Sequence, residues 1–403
     1  MIRCLSLIAS AGSALLPLVL ANPAYASLDI LPTFDSSITA LGDAAAVEAA
    51  IDNAAHATQS NFANSFDVPI LFKAAHGGRD GFLAMTNSTF VPLTYRDYAD
   101  LLESAASSQP GNAALKTAVS NLGSGNKGGT DGVIVTNTVL QALGVPASDV
   151  RGGYAANGNF VGLGAFDAVI TINIDQPYTY TEPVPVYDGH NVTYDATGAV
   201  EHEIDEVLGG GGSGSTLNYV SQFGTDNPDS VFTFYRGALD LYRYSAPETP
   251  SFSTSETSGA YLSVDGGVTE IVGFNNFSQG DYGDFGPNID SCAGGGFGGP
   301  ADLIQDAFTC NNETEEKFTP ASPEYAMLAS IGYDPTAVPE ASTWLMLLVG
   351  FGGLGFAGYR RVGEPDACRD CKPETLALPL PPCAGLDPNG AWPSLFRWPR
   401  VRC

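Results

Sequence analysis

The residues best suited to chemistry lie in His202-Glu203-Ile204-Asp205-Glu206-Val207-Leu208-Gly209. His202 and Glu206 are four apart, so on a helix both side chains leave one face and converge on one spot. An imidazole and a carboxylate at that spacing make a two-ligand grip for a divalent cation, zinc above all. Glu203 stands next to the first ligand, where it can serve as general base toward a metal-bound water. Ile204, Val207 and Leu208 give the helix a core-facing stripe. The plainer alternative is a solvated acidic face. Against it, Glu201, Glu203, Asp205 and Glu206 crowd four negative charges into six residues, which disfavours a helix unless a cation is near.

The helix itself is predicted from about Ala196 to Leu208, stopped by the run Gly209 to Gly212. Upstream, Ser37 to Phe66 is Ala-rich and reads as one or two helices. Val68 to Phe72 and the alternating part of Phe160 to Ile174 read as strands. Short helices are expected at Tyr95 to Ser104, Ala113 to Leu122 and Val139 to Leu143, and Val133 to Val135 is a short apolar run. Tyr178 to Tyr194 is Pro- and Tyr-rich and expected to be extended. Downstream, Gly, Ser, Asp and aromatics dominate, with short strands at Tyr261 to Val264 and Glu270 to Val272 and a last helix at Met327 to Ile331. This order predicts an α+β fold, with a cleft between a first subdomain and a loop-rich C-terminal one.

Composition bounds the function class. The chain has 403 residues, 17 Lys+Arg, 44 Asp+Glu and a net charge of −27. So acidic a surface excludes nucleic acid as a partner, because no basic stripe is present to replace phosphate counterions. Between residues 27 and 338 nine basic residues face 38 acidic ones, whereas seven basic residues and all three Trp fall from Trp344 onward. The two ends are different material. Residues 1–26 carry Arg3, an apolar run from Leu5 to Leu20 and Ala24-Tyr25-Ala26, the pattern of a secretory signal peptide. Residues 339–361 hold Pro339-Glu340-Ala341, an apolar stretch from Trp344 to Tyr359 and Arg360-Arg361. Residues 362–403 are rich in Pro and Cys and are expected to be a disordered tail. Removing both ends leaves Cys292 and Cys310, a candidate disulfide in an exported protein.

Two resemblances follow. Residues 339–361 resemble the PEP-CTERM sorting signal of Gram-negative bacteria that make exopolysaccharide. That likeness implies recognition by an exosortase, transient anchoring of a transmembrane helix in the inner membrane, and delivery to the cell envelope or secretion. His202 to Gly209 resembles HEIxEVLG, the motif of a family of secreted bacterial metalloproteases that often carry such tails. Further likeness lies in Ala238 to Pro247, Leu262 to Gly267 and Asp281 to Phe285, over roughly residues 68 to 335. A more distant similarity to leishmanolysin-like metzincins places Asp284-Phe285 where a late third ligand would stand. It places Lys317-Phe318-Thr319-Pro320 at the turn that normally holds Met, and puts Gly212, which cannot coordinate, at the usual third-ligand position.

These likenesses imply a zincin or metzincin-like domain over residues 27–338. Its N-terminal segment at 27–66, read as helical from its Ala-rich composition, could be an inhibitory pro-segment, although it holds no cysteine to cap a metal. The implied centre is zinc held by His202, Glu206 and Asp284, with Glu203 as catalytic base hydrolysing protein or peptide substrates. Asp240, Asp265 and Asp281 are rivals for the third ligand, Asp240 being better explained by an ion pair with Arg243. Two carboxylate ligands admit Mn²⁺ as well, and the acidic loops at 226–229 and 281–290 suggest a structural Ca²⁺. His190 is a candidate substrate-polarising residue, while His56 and His76 read as surface or structural. The rival function is a catalytically weak or inactive zincin-fold surface or matrix protein, favoured by the departures at Glu206, Gly212 and Phe318.

Overall fold

The computed structural model describes residues 27–79, 81–122, 132–185, 188, 190–224, 231–286 and 303–336. All of these fall in the first of the chain's two units, Met1–Ala337. The expected signal peptide, the sorting segment, the Pro/Cys-rich tail and Cys292 lie outside them. The order is β1 (Asp29–Phe34), α1 (Ser36–Thr39), α2 (Ala44–Gln59), β2 (Asp67–Ala75), β3 (Ala84–Ser88), β4 (Phe90–Thr94), α3 (Tyr95–Ser108) and α4 (Ala113–Leu122). Next come β5 (Gly132–Thr136), α5 (Asn137–Ala142), β6 (Gly153–Tyr154), β7 (Phe160–Val161), β8 (Ala168–Asn173), β9 (Tyr178–Thr179), β10 (Tyr194–Asp195) and α6 (Ala196–Val207). The last are α7 (Leu217–Phe223), β11 (Tyr235–Gly237), β12 (Arg243–Ala246), β13 (Thr249–Pro250), β14 (Tyr261–Leu262), β15 (Val272–Gly273) and α8 (Pro323–Ser330). The fold is therefore mixed α+β, with eight helices among the described residues.

The sheet that carries the site runs β1-β2-β8-β3. β1, β2 and β8 are parallel, with Ile30 opposite Val68 and Ile70 opposite Ala168. β3 is antiparallel to β8 and forms the sheet's edge. Its residues alternate, Met85 and Asn87 facing solvent while Thr86 turns inward, as a strand with one covered face must. A second sheet, β11-β5-β4-β6-β7, and a third, antiparallel β13-β12-β14-β15, follow. β9 and β10 pair in parallel just before α6.

The N-terminal segment departs from the helical expectation. It opens with β1, a strand of the main sheet, before the helices begin. Leu28, Ile30, Val47 and Ile51 are each buried in the same core as Val68, Ile70 and Phe72, so this stretch is woven into the domain.

α6 threads the interior beside α2 and β3. Val200, Ile204, Val207 and Leu208 join the main core, and every residue from Ala196 to Val207 except His202 is buried. The helix starts where the Asp195 carboxylate accepts from the Thr197 and Gly198 amides at 3.0 and 3.3 Å, a side-chain cap for orphan donors. It ends where Gly209 adopts φ +84°. There the Gly209 N–H donates to the Glu206 carbonyl at 2.9 Å and the Gly210 N–H to that of Asp205 at 2.8 Å, the paired bonds of a left-handed helix stop. Gly211 to Gly214 then form a single tight turn that folds the chain back over the C-terminal half of α6.

Candidate metal centre

His202, Glu206 and Asp284 each offer a ligand atom, and the three atoms lie within 4.8 Å of one another. His202 Nε2 and Asp284 Oδ2 are 3.7 Å apart. Two ligands on a tetrahedral cation at zinc distances stand about 3.4 Å apart, so this pair is already spaced to share one ion. The His202 ring is aimed by the Ile304 carbonyl, 2.9 Å from Nδ1. A carbonyl only accepts, so Nδ1 carries the proton and the Nε2 lone pair faces the site, the tautomer that a ligand imidazole needs.

Asp284 is delivered by a small backbone lattice. Its carbonyl accepts the Asn275 N–H at 2.8 Å, and its neighbour Phe285 donates to the Gln305 carbonyl at 2.7 Å while accepting from Ala307 at 3.0 Å. Phe285 is wholly buried with its ring centroid 6.1 Å from that of Phe274. The glycine turn closes the other side. A Cβ on Gly212 would lie 2.5 Å from Glu206 Oε1 and 2.7 Å from Asp281 Oδ2. Position 212 thus faces the centre, and carboxylates occupy the space a side chain would need.

The acidic stretch is not solvated. Glu201, Glu203, Asp205 and Glu206 are 5%, 6%, 0% and 7% exposed, which removes the solvated-face alternative. Burial pushes Glu206 and Asp284 well above the usual carboxylate range. Neighbouring negative charges add to this, those of Glu203, Asp281 and Asp284 on Glu206 and that of Asp281 on Asp284. The Gly212 N–H pulls both back toward ionisation. Burial lifts Glu203 to about 7, and the negative charges of Asp284 and Asp281 add to the rise. Its Oε2 has no hydrogen-bond partner. The Glu203 carbonyl accepts from Thr86 Oγ1 at 2.9 Å, tying the helix to the edge strand β3. Asp281 is half-buried beside this group, its carboxylate accepting from Asn218 Nδ2, and burial raises it too.

A centre of this kind is costly without a cation, because clustered buried carboxylates must either stay protonated or be paired. No Lys or Arg forms an ion pair with Glu203, Glu206, Asp281 or Asp284 among the described residues. One neutral imidazole and two oxygen donors suit Zn²⁺ and also tolerate Mn²⁺, so the residues present fit a divalent metal.

The remaining sequence candidates stand elsewhere. Asp240 is a loop clamp, accepting from Ser215 Oγ at 2.6 Å, the Thr216 N–H at 3.0 Å and the Gly237 N–H at 2.9 Å. It does not form the expected ion pair with Arg243. The Arg243 guanidinium instead donates to the Tyr282 and Asn275 carbonyls and lies 4.7 Å over the Phe274 ring. Asp265 caps a turn by accepting from Ser263, Thr269 N–H and Thr269 Oγ1. Phe318 packs edge-on against Phe62 at 5.8 Å; beneath the glycine turn it is Met327 whose Cε would meet a Cβ on Gly210 at 2.5 Å. His190 and His56 are exposed, and His76 pairs with Asp175 at 2.8 Å. Cys310 is disulfide-bonded; its expected partner, Cys292, lies outside the described residues. So does the acidic loop at 226–229, and His202, Glu206 and Asp284 are the only group among the described residues whose ligand atoms are close enough to hold a metal ion.

Residues 337–361 match the PEP-CTERM protein-sorting motif. That motif implies handling by exosortase machinery, and so export and sorting at the envelope. No curated protein and no solved structure matches the chain. No helix among the described residues is long and apolar enough to cross a membrane.

Proposed function

We propose that the chain is an exported, metal-dependent endopeptidase of zincin-like architecture. One observation carries this reading: three ligand atoms from His202, Glu206 and Asp284 converge within 4.8 Å beside a buried glutamate poised near neutral pH. A bound Zn²⁺ would supply an acidified water and a polarised carbonyl. With such an ion held by His202, Glu206 and Asp284, Glu203 would take a proton from the attacking water as the water oxygen adds to the peptide carbonyl carbon. It would return the proton to the amide nitrogen as the C–N bond breaks, so that one half leaves as carboxylic acid and the other as amine. A base with a pKa near the working pH can do both transfers. The edge of β3, bonded to α6 through Thr86 and paired on one side only among the described strands, offers backbone donors and acceptors to an extended chain, which supports a polypeptide substrate.

The rival reading, a surface or matrix component with a weak or silent centre, draws on the two carboxylate ligands. The first test is metal content of the full-length chain by elemental mass spectrometry, wild type beside His202→Ala. About one zinc per chain, lost in the variant, is expected. A wild-type chain that holds no divalent metal after zinc is offered would overturn the peptidase reading.

A further inference from the structure

Gln305 belongs to no sequence motif, yet it has no exposed surface and reaches the middle of the centre. Its backbone is fully engaged: the N–H donates to Glu324 Oε1 at 3.0 Å and the carbonyl accepts from Phe285 at 2.7 Å. Its side-chain Nε2 lies 3.0 Å from Asp284 Oδ1 and 3.2 Å from His202 Nε2. Its Oε1, buried, has no hydrogen-bond partner. The glycine turn holds the amide in place, since a Cβ on Gly211 would come within 2.0 Å of Nε2.

Because His202 Nδ1 spends its proton on the Ile304 carbonyl, Nε2 is an acceptor, as is the Asp284 oxygen. Two acceptors converging in a dry space need either a pair of donor hydrogens or a cation. A primary amide can serve both situations. One end of it is a two-hydrogen donor and the other an oxygen ligand, and its terminal torsion is broad and roughly two-fold. Rotation by half a turn exchanges the two ends within the same volume.

We infer that Gln305 is a fourth ligand residue of the centre. Its NH₂ group stands between His202 and Asp284, and a half-turn of the amide presents Oε1 to an ion held there. This rests on the metal reading given above. It makes the donor set one nitrogen and three oxygens, a harder set than three imidazoles, so Mn²⁺ competes better here than at an all-histidine site.

The test uses the full-length chain with Co²⁺ as optical probe and Zn²⁺ competition against a chromophoric chelator. Gln305→Leu is expected to weaken affinity by about 10- to 100-fold and to intensify the Co²⁺ absorption bands as the coordination number drops. Gln305→Glu, which keeps an oxygen at the position, is expected to restore affinity; a folded Gln305→Glu that fails to do so overturns the assignment. Tighter binding in Gln305→Leu, or affinity and Co²⁺ bands like the wild type's, also overturns it, because the amide would then be a competitor or a bystander. Gln305→Met gives the same comparison at nearly the same shape if the leucine variant does not fold. Failure of the underlying reading looks different: the wild type itself binds neither Co²⁺ nor Zn²⁺. Metal held by the wild type and lost in His202→Ala, but indifferent to Gln305→Leu and Gln305→Met, removes Gln305 alone.

Discussion

His202, Glu203 and Glu206 act at one point but carry separable roles in the proposed centre. Glu203→Gln keeps the shape of the base and removes its proton affinity, so peptide hydrolysis should fall by about 10²- to 10⁴-fold while metal content stays at the wild-type value. Loss of metal in that variant would show Glu203 to be a ligand instead of a base. Glu206→His exchanges an anionic ligand for a neutral one. A less neutralised cation acidifies its water more strongly, so the activity profile of the variant should move to lower pH; an unshifted profile would refute that electrostatic argument. Gly212→Ala places a methyl 2.5 Å from Glu206 Oε1 and should weaken metal affinity by at least about tenfold, read by chelator competition. His202 and Glu206 were legible in the sequence because helical spacing alone brings them together. Asp284 could be picked only through a likeness, and Gln305 had no signal, since 103 residues separate it from the histidine it meets.

The helix α6 stores unfavourable charge on more than its metal-facing side. Asp205 is wholly buried with neither carboxylate oxygen hydrogen-bonded, and burial together with Glu324 and Glu201 holds it well above the carboxylate range. Burial pushes Glu201 up to about 8. The unfolded chain ionises these groups near pH 4, whereas the folded chain keeps their protons to higher pH. The stabilising difference is thus intact below about pH 4 and is lost as pH rises toward 8. Thermal melts of the chelator-treated chain should show a falling midpoint from pH 5 to pH 8, with a shallower slope in Asp205→Asn. An equal slope in the variant would mean that Asp205 does not hold its proton. α6 itself was readable from its stripe and its glycine stop. β1, β3 and β4 were not: Pro32 and Pro92 argue against strand, and AMTNS in β3 lacks a continuous apolar pattern because the strand lies at an edge. Pro92 is tolerated because β4 meets β6 only through Phe90 and Tyr154, so its missing N–H leaves no ladder bond unmade.

On the scale of the whole molecule, address and chemistry occupy different stretches of chain. The sorting motif at 337–361 follows the last residue of the centre, and its composition, basic and Trp-bearing against an acidic body, was visible in the sequence at once. Replacing Pro339 and Glu340 with Ala should block processing at the envelope, seen as a size shift on immunoblots of cell fractions, and leave metal content unchanged. Coupled loss of both would mean that the two stretches are not independent. The spacing within the centre also sets a timetable. The Ile304 carbonyl that orients the His202 ring lies 102 residues further along, with Asp284 between them. A polypeptide threaded unfolded across a membrane, amino end first, would have half of the proposed centre on the far side while the other half is still inside. Such a chain would not carry an ion out with it, and the proposed centre would take its metal after export.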